Sequence, residues 1–179
     1  INSGSADGHP AALTAIGNTL YFSAKDGTNG YELWKSDGTA LGTVMVKDIN
    51  SGSGSGHPQG FTAFGNTIYF SANDGTHGWE LWKSDGTASG TVMVKDTNSG
   101  AQSGAPNYLF TSGSTLYFVA IDGTNGWSIW ESDGTETGTV VWFDLCNGYC
   151  GVNNFMQVGS LFLYQINDGN PNDKLFLTV

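Results

Sequence analysis

The sequence predicts an all-β, β-propeller-like fold: about four blades of four antiparallel strands each, with the fourth blade incomplete. Three observations carry this expectation: a segment that recurs at a fixed spacing, short apolar runs bounded by turn dipeptides, and no run with a helical period. Tyr31-Glu32-Leu33-Trp34-Lys35-Ser36-Asp37-Gly38-Thr39 returns as Trp79 to Thr87 and again as Trp127 to Thr135, 48 residues apart each time. Four strands in every forty to fifty residues, followed by a longer link, is the plan of a propeller blade. The fourth copy is eroded but stays in register. Gly159 to Asp168 repeats the spacing of Gly113 to Asp122, and Lys174-Leu175-Phe176 falls where Glu32-Leu33-Trp34 falls. The chain reads as one repeat domain over 1–179, with repeats at about 9–56, 57–104 and 105–150 and a truncated one at about 151–179.

In the first repeat the first strand is expected over Ala12–Ile16, ending at the Gly17-Asn18 turn. The second is Thr19–Ala24, where Leu20 and Phe22 alternate with Tyr21 and Ser23. Asp26-Gly27-Thr28-Asn29-Gly30 breaks the chain before a third strand over Tyr31–Ser36. Asp37-Gly38-Thr39 makes the next turn, and Thr43–Ile49 is the fourth strand. Asp-Gly, Asn-Gly and Gly-Asn pairs supply the positive φ that tight turns need. A Gly/Ser-rich connection, Asn50 to Gly56, leads to His57-Pro58 and the next unit. Trp34, Trp82 and Trp130, with Phe22, Phe70 and Phe118, are the expected filling between adjacent blades. Ile1 matches Ile49, so a strand like Thr43–Ile49 is missing at both ends, and an unpaired sheet edge is expected.

Composition narrows the function. The chain has 179 residues, a net charge of −10 and only six Lys and Arg, which excludes nucleic acid and anionic membrane surfaces as partners. Six Trp, seven Tyr and ten Phe argue against disorder. No apolar run is long enough for membrane insertion as a helix, and no signal-peptide pattern is visible. The start at Ile1 reads as a mature or trimmed product. Cys146 and Cys150 bracket Asn147-Gly148-Tyr149; they would close a small disulfide loop in an oxidising compartment or stay as two free thiols. A zinc site is not expected, because no second Cys/His pair lies nearby.

Glu32 to Thr39 and Glu80 to Thr87 both read Glu-Leu-Trp-Lys-Ser-Asp-Gly-Thr, and Gly42-Thr43 or Gly90-Thr91 follows. These strings resemble the repeat that defines bacterial ELWxxDGT-repeat proteins. The third copy departs from it with Ser128 and Ile129, and the fourth keeps only Leu175 and an aromatic. The resemblance implies a secreted or cell-surface, extracellular bacterial protein built of propeller-like repeats. It implies no activity, and fold analogy supplies none.

Hairpin topology puts Asp26, Asp74, Asp122 and Asp168, in the loop between second and third strands, on the same side as Asp48, Asp96 and Asp144 in the long connection. The Asp37, Asp85 and Asp133 turns fall on the other side. Such oxygen-rich loops suit Ca²⁺, which takes six to eight oxygen ligands; no other cofactor is expected. The same aspartates would equally bond their own turn amides. No catalytic residue is assigned and no enzyme is expected. His9 and His57 share a repeat position, but the third copy has Ala105 there, and no nucleophile–base constellation stands out. A secreted hydrolase finds little support, because repetition explains the paired carboxylates better than a glycosidase cleft does. Two functions follow. The first is a non-enzymatic structural protein that self-associates, as a homo-oligomeric ring or filament, through blade edges, with calcium as a stabiliser. The alternative is a multivalent, lectin-like glycan-binding module presenting exposed Tyr31, Trp79 and Trp127 once per repeat.

Overall fold

Alternation along each run dictates a sheet with two different faces. In Thr19–Ala24, Leu20, Phe22 and Ala24 point to one side and Tyr21 and Ser23 to the other, as a pleated strand requires. The computed structural model describes residues 1, 7–124, 126–145, 150–159, 161–167 and 174–178, the last of these as backbone. Every described strand is antiparallel to its neighbours, and the strands form four separate sheets. Blade 1 is β1 (Ala11–Ile16), β2 (Thr19–Ala24), β3 (Glu32–Ser36) and β4 (Val44–Lys47). Blade 2 is β5 (Gln59–Phe64), β6 (Thr67–Asn73), β7 (Trp79–Ser84) and β8 (Val92–Lys95). Blade 3 is β9 (Asn107–Ser112), β10 (Thr115–Ile121), β11 (Trp127–Ser132) and β12 (Val140–Asp144). Blade 4 has three described strands: β13 (Gly151–Val158), β14 (Leu161–Asn167) and β15 (Lys174–Thr178). Strands follow chain order within every sheet, which makes each blade a meander and the whole an all-β, propeller-like array.

The first hairpin of each blade turns on a glycine, at φ +57° for Gly17, +61° for Gly65, +59° for Gly113 and +64° for Gly159, where a side chain would be strained. The fourth strand is shorter than the sequence suggests, ending at Lys47 rather than Ile49. The reason is that the amides of Ile49 and Asn50 are drawn off the sheet onto the Glu32 carboxylate. The first strands of successive blades, β1, β5, β9 and β13, lie beside one another and mark the inner side of the array.

Each joint between blades is an apolar cluster drawn from the back of one sheet and the front of the next. Tyr21, Leu33, Val46 and Ile49 of blade 1 pack on Ile68, Phe70, Ala72 and Trp82 of blade 2. Tyr69, Leu81 and Val94 of blade 2 pack on Leu116, Phe118, Ala120 and Trp130 of blade 3. Val119, Ile129 and Leu145 of blade 3 pack on Phe155, Phe162, Tyr164 and Ile166 of blade 4. All six tryptophans and phenylalanines expected between blades are buried, but only Phe70, Trp82, Phe118 and Trp130 lie at a joint. Phe22 and Trp34 pack on blade 1 residues alone among the described residues, because the front of blade 1 faces no other described blade. Buried Cys150 sits in the third cluster and is disulfide-bonded; Cys146 lies outside the described residues.

Candidate functional site

The motif residues are explained first by the corners they build. In Ser36-Asp37-Gly38-Thr39 the Thr39 amide and hydroxyl both donate to Asp37 Oδ1, at 2.9 and 2.7 Å. The Gly38 amide donates to Ser36 Oγ at 3.1 Å and the Gly42 amide to Thr39 Oγ1 at 2.9 Å. Thr43 closes the corner through its hydroxyl, 2.7 Å from both Ser36 Oγ and the Thr39 carbonyl. The same bonds recur from Ser84 to Thr91 and from Ser132 to Thr139. The Thr39 hydroxyl, with its amide, holds the Asp37 carboxyl below the usual carboxylate range, and Thr87 and Thr135 do the same for Asp85 and Asp133. Asp-Gly-Thr is therefore a folding device.

The glutamate of the motif is a strap. Glu32 is fully buried, and its carboxylate accepts the Ile49 amide at 2.6 Å on Oε2 and the Gly56 amide at 2.7 Å on Oε1. Glu80 does the same for blade 2, accepting Thr97 N and Oγ1 at 2.6 and 2.7 Å and the Gly104 amide at 2.6 Å. Each glutamate thus ties down both ends of the connection that crosses to the next blade. Gly56 must be glycine here, because a Cβ would stand 2.8 Å from Glu32 Oε2. Burial pushes the Glu32 carboxyl up to about 7 against the donors that favour its anion, and burial also raises Glu80. In the third copy Ser128 occupies this place, and its hydroxyl is buried without a hydrogen-bond partner among the described residues.

The lysine is a latch. Lys35 Nζ donates to the Gly86 carbonyl of the next blade's corner at 2.8 Å, and Lys83 Nζ to the Gly134 carbonyl at 2.8 Å. Sequence reasoning missed both the strap and the latch. The signal for them was the third copy, where Glu gives way to Ser128 and Lys to Glu131.

The candidate cation ligands divide. Asp26 Oδ1 accepts the Thr28 and Asn29 amides at 2.9 and 2.8 Å, and Oδ2 accepts Asn29 Nδ2 at 2.9 Å. Asp74 accepts the Thr76 and His77 amides at 2.9 and 2.8 Å, with His77 Nδ1 at 2.7 Å from Oδ2, and Asp122 accepts the Thr124 amide at 2.8 Å. These are turn bonds of the Asx kind. Asp48 and Asp96 each accept one amide on Oδ2, from Gly52 and Gly100 at 3.1 Å, while Oδ1 is buried with no partner among the described residues. Asp144 ends β12, and Asp168 lies outside the described residues. Among the described residues no three His, Cys, Asp or Glu are grouped so as to hold a metal.

The aromatics expected to be exposed platforms are half-buried instead. Tyr31 stacks on the His57 ring at 4.8 Å between centroids, and His57 on Trp79 at 6.3 Å. Trp127 packs against the cluster between blades 3 and 4. A cavity of about 480 Å³ opens beside Tyr31, lined also by His9, Ser23, His57 and Gln59.

The front of blade 1 differs from the fronts of blades 2 and 3. Its cluster of Phe22, Ala24 and Trp34, with Leu20 and Met45, contains blade 1 residues alone. Leu13 is 58 % exposed, whereas its counterparts Phe61 and Leu109 are packed into joints.

No family model matches the chain, and no curated protein matches it. Solved structures do. The computationally designed Ika8 protein is similar at 20 % identity over 94 % of this chain and 46 % of that one, with a TM-score of 0.52. TolB from Acinetobacter baumannii is similar at 16 % identity over 96 % of this chain and 43 % of its own, with a TM-score of 0.50. A Bacteroides ovatus protein, Xyloglucan PUL GH43B, is similar at 14 % identity over 94 % and 37 %, with a TM-score of 0.47. The likeness is one of fold. The chain spans less than half the length of each of these structures.

Proposed function

We propose that this chain is a non-enzymatic structural module of an extracellular bacterial assembly. It associates, repeat to repeat, into a ring or filament. The observation that carries this reading is the front of blade 1, which is built like the fronts that blades 2 and 3 bury against a neighbour, yet packs on no other blade among the described residues. Repeat arrays gain stability from such nearest-neighbour interfaces, and a head-to-tail contact repeated between copies closes a ring or runs on as a filament. The motif residues support a structural role, since Glu, Lys, Ser, Asp and Thr are each engaged in holding a corner or a joint. The disulfide at Cys150 suits an oxidising compartment. Electron microscopy and light scattering across protein concentration test the reading. Rings, filaments or discrete oligomers are expected, and a monomeric particle at every concentration overturns it.

The glycan-binding reading stands second, favoured by the cavity at Tyr31 with its imidazole, hydroxyl and amide lining. A glycan array on which nothing binds removes it.

A further inference from the structure

The joints between blades have a polarity that specifies what fits the front of blade 1. At the first joint the back of blade 1 supplies a tyrosine and a lysine, and the front of blade 2 supplies the Asp-Gly corner that receives them. Lys35 Nζ is bonded to the Gly86 carbonyl. A Cβ on Gly86 would meet the Tyr21 hydroxyl at 2.6 Å and the Lys35 ammonium at 3.8 Å. The second joint repeats this, with Lys83 on the Gly134 carbonyl and Tyr69 against Gly134. Asp85 lies in the field of Lys35 and Asp133 in that of Lys83.

The corner of blade 1 is built in the same way and receives no such latch among the described residues. Among the described residues a Cβ on Gly38 would meet no atom within 4 Å, and the carboxyl of Asp37 is held down by its own turn bonds to Thr39. Beside it lies a shallow apolar hollow of about 230 Å³ lined by Ile1, Pro10, Leu13, Leu20 and Phe22. Ile1 is 40 % exposed there, whereas Ile49, its counterpart, is 6 % exposed under blade 2.

The fourth blade shows that latch and corner go together. Tyr21 pairs with Lys35 across β2 and β3, and Tyr117 with Glu131 across β10 and β11. The corresponding pair across β14 and β15 is Leu163 and Leu177. Where the third copy has lost its lysine, the next copy has Val179 in place of the corner aspartate. A second copy of this chain therefore has no tyrosine and lysine to offer from its fourth blade.

We infer that the front of blade 1 is a docking surface for one more repeat of the kind seen in the first two copies. That repeat covers Leu13, Leu20 and Ile1 with its apolar back and sets a lysine on the Gly38 carbonyl. The inference rests on the reading of the chain as a structural repeat module and names the partner that module accepts.

The test extends the full chain at its N-terminus by a second copy of residues 1–48, so that Ile1-Asn2-Ser3-Gly4-Ser5 serves as the connection that Ile49 to Ser53 provides natively. Methyl NMR should show contacts from Leu13 and Leu20 to the Leu33 and Val46 of the added copy, and the melting midpoint should rise. Lys35→Met in the added copy should keep the contacts and lose part of the rise, while Lys35→Arg should retain it. Absent contacts, or a rise that Lys35→Met leaves untouched, overturns the inference. Light scattering of the unextended chain separates this from the proposed function. Docking in an extended chain whose parent is strictly monomeric leaves the inference standing and removes self-association; rings formed by the parent without these contacts do the reverse.

Discussion

The joint between blades 1 and 2 and the joint between blades 3 and 4 both bury an apolar cluster, but different groups hold them in register. At the first, a buried carboxylate ties the crossing connection and a lysine reaches the next corner. At the third, Ser128 and Glu131 replace both, and aromatic rings take over. Phe162 sits 4.9 Å from Tyr117 and 4.9 Å from Trp142, and Phe110 lies 5.0 Å from Phe155, between centroids. The repeat motif thus encodes a polar joint, and where it is lost a cluster of aromatic rings stands in its place. Aromatic pairs at such spacing contribute about 0.5–1.5 kcal/mol beyond the area they bury.

Changes that strike one joint and spare the other should break this comparison. The largest effect is expected for Phe162→Ala, which empties the centre of the third cluster and should cost roughly 3–5 kcal/mol. Denaturant unfolding with hydrogen exchange checks it: β13 to β15 should lose protection while β1 to β8 keep theirs. Equal loss in every blade would show that the joints are not independent.

Glu80→Gln should come next, at about 1–3 kcal/mol, because the amide offers one acceptor where two carboxylate oxygens served and turns a donor toward a buried N–H. Its signature is local, with exchange rising across Thr97 to Gly104 before the third joint is touched.

The straps also give the first two joints a pH dependence that the third lacks. The Glu32 carboxyl is raised in the folded state from 4.5 to about 7, so the folded chain binds the extra proton between those values. Its contribution to stability is fully present below about 4.5 and is lost as pH rises through about 7. Melting midpoints across that window should fall with rising pH, and Glu32→Gln should flatten the slope. The corner aspartates act in the opposite sense. Asp37, Asp85 and Asp133 are lowered, so their contribution is present above about 3.8 and lost as pH falls below it.

Smaller still is Lys83→Met, at about 1 kcal/mol for one hydrogen bond to a carbonyl. Ser128→Ala should be near neutral or slightly stabilising, since its buried hydroxyl has no hydrogen bond to lose among the described residues. A large cost at Ser128 would mean that the third joint carries a polar tie after all.

Much of the fold was legible from the residues. Gly17 and its repeats announce the inner hairpins, and the alternation of Leu20, Phe22 and Ala24 announces the buried front face. The candidate sites were less legible. Asp26 and Asp74 offer the oxygens that a turn and a cation site both use, and their bonds to Thr28, Asn29, Thr76 and His77, which account for the turn, are seen only in the structure. Tyr31 and Trp79 looked exposed because a strand-end aromatic carries no mark of what lies beside it. His57, the ring between them, comes from the connection to the following blade, 26 residues beyond Tyr31 and 22 before Trp79.

Period, alternation and turn chemistry are local properties, so the repeat, its four-strand plan and which bulky residues are buried could be read from the residues. Which of them fill a joint could not: Phe22 and Trp34 pack on blade 1 alone among the described residues. Tertiary structure decided what the motif is for. A glutamate becomes a buried strap only when the crossing connection folds over it. A lysine becomes a latch only when another blade's carbonyl, 51 residues away, is brought within 2.8 Å. Those roles depend on distances between blades, and sequence spacing alone does not contain them.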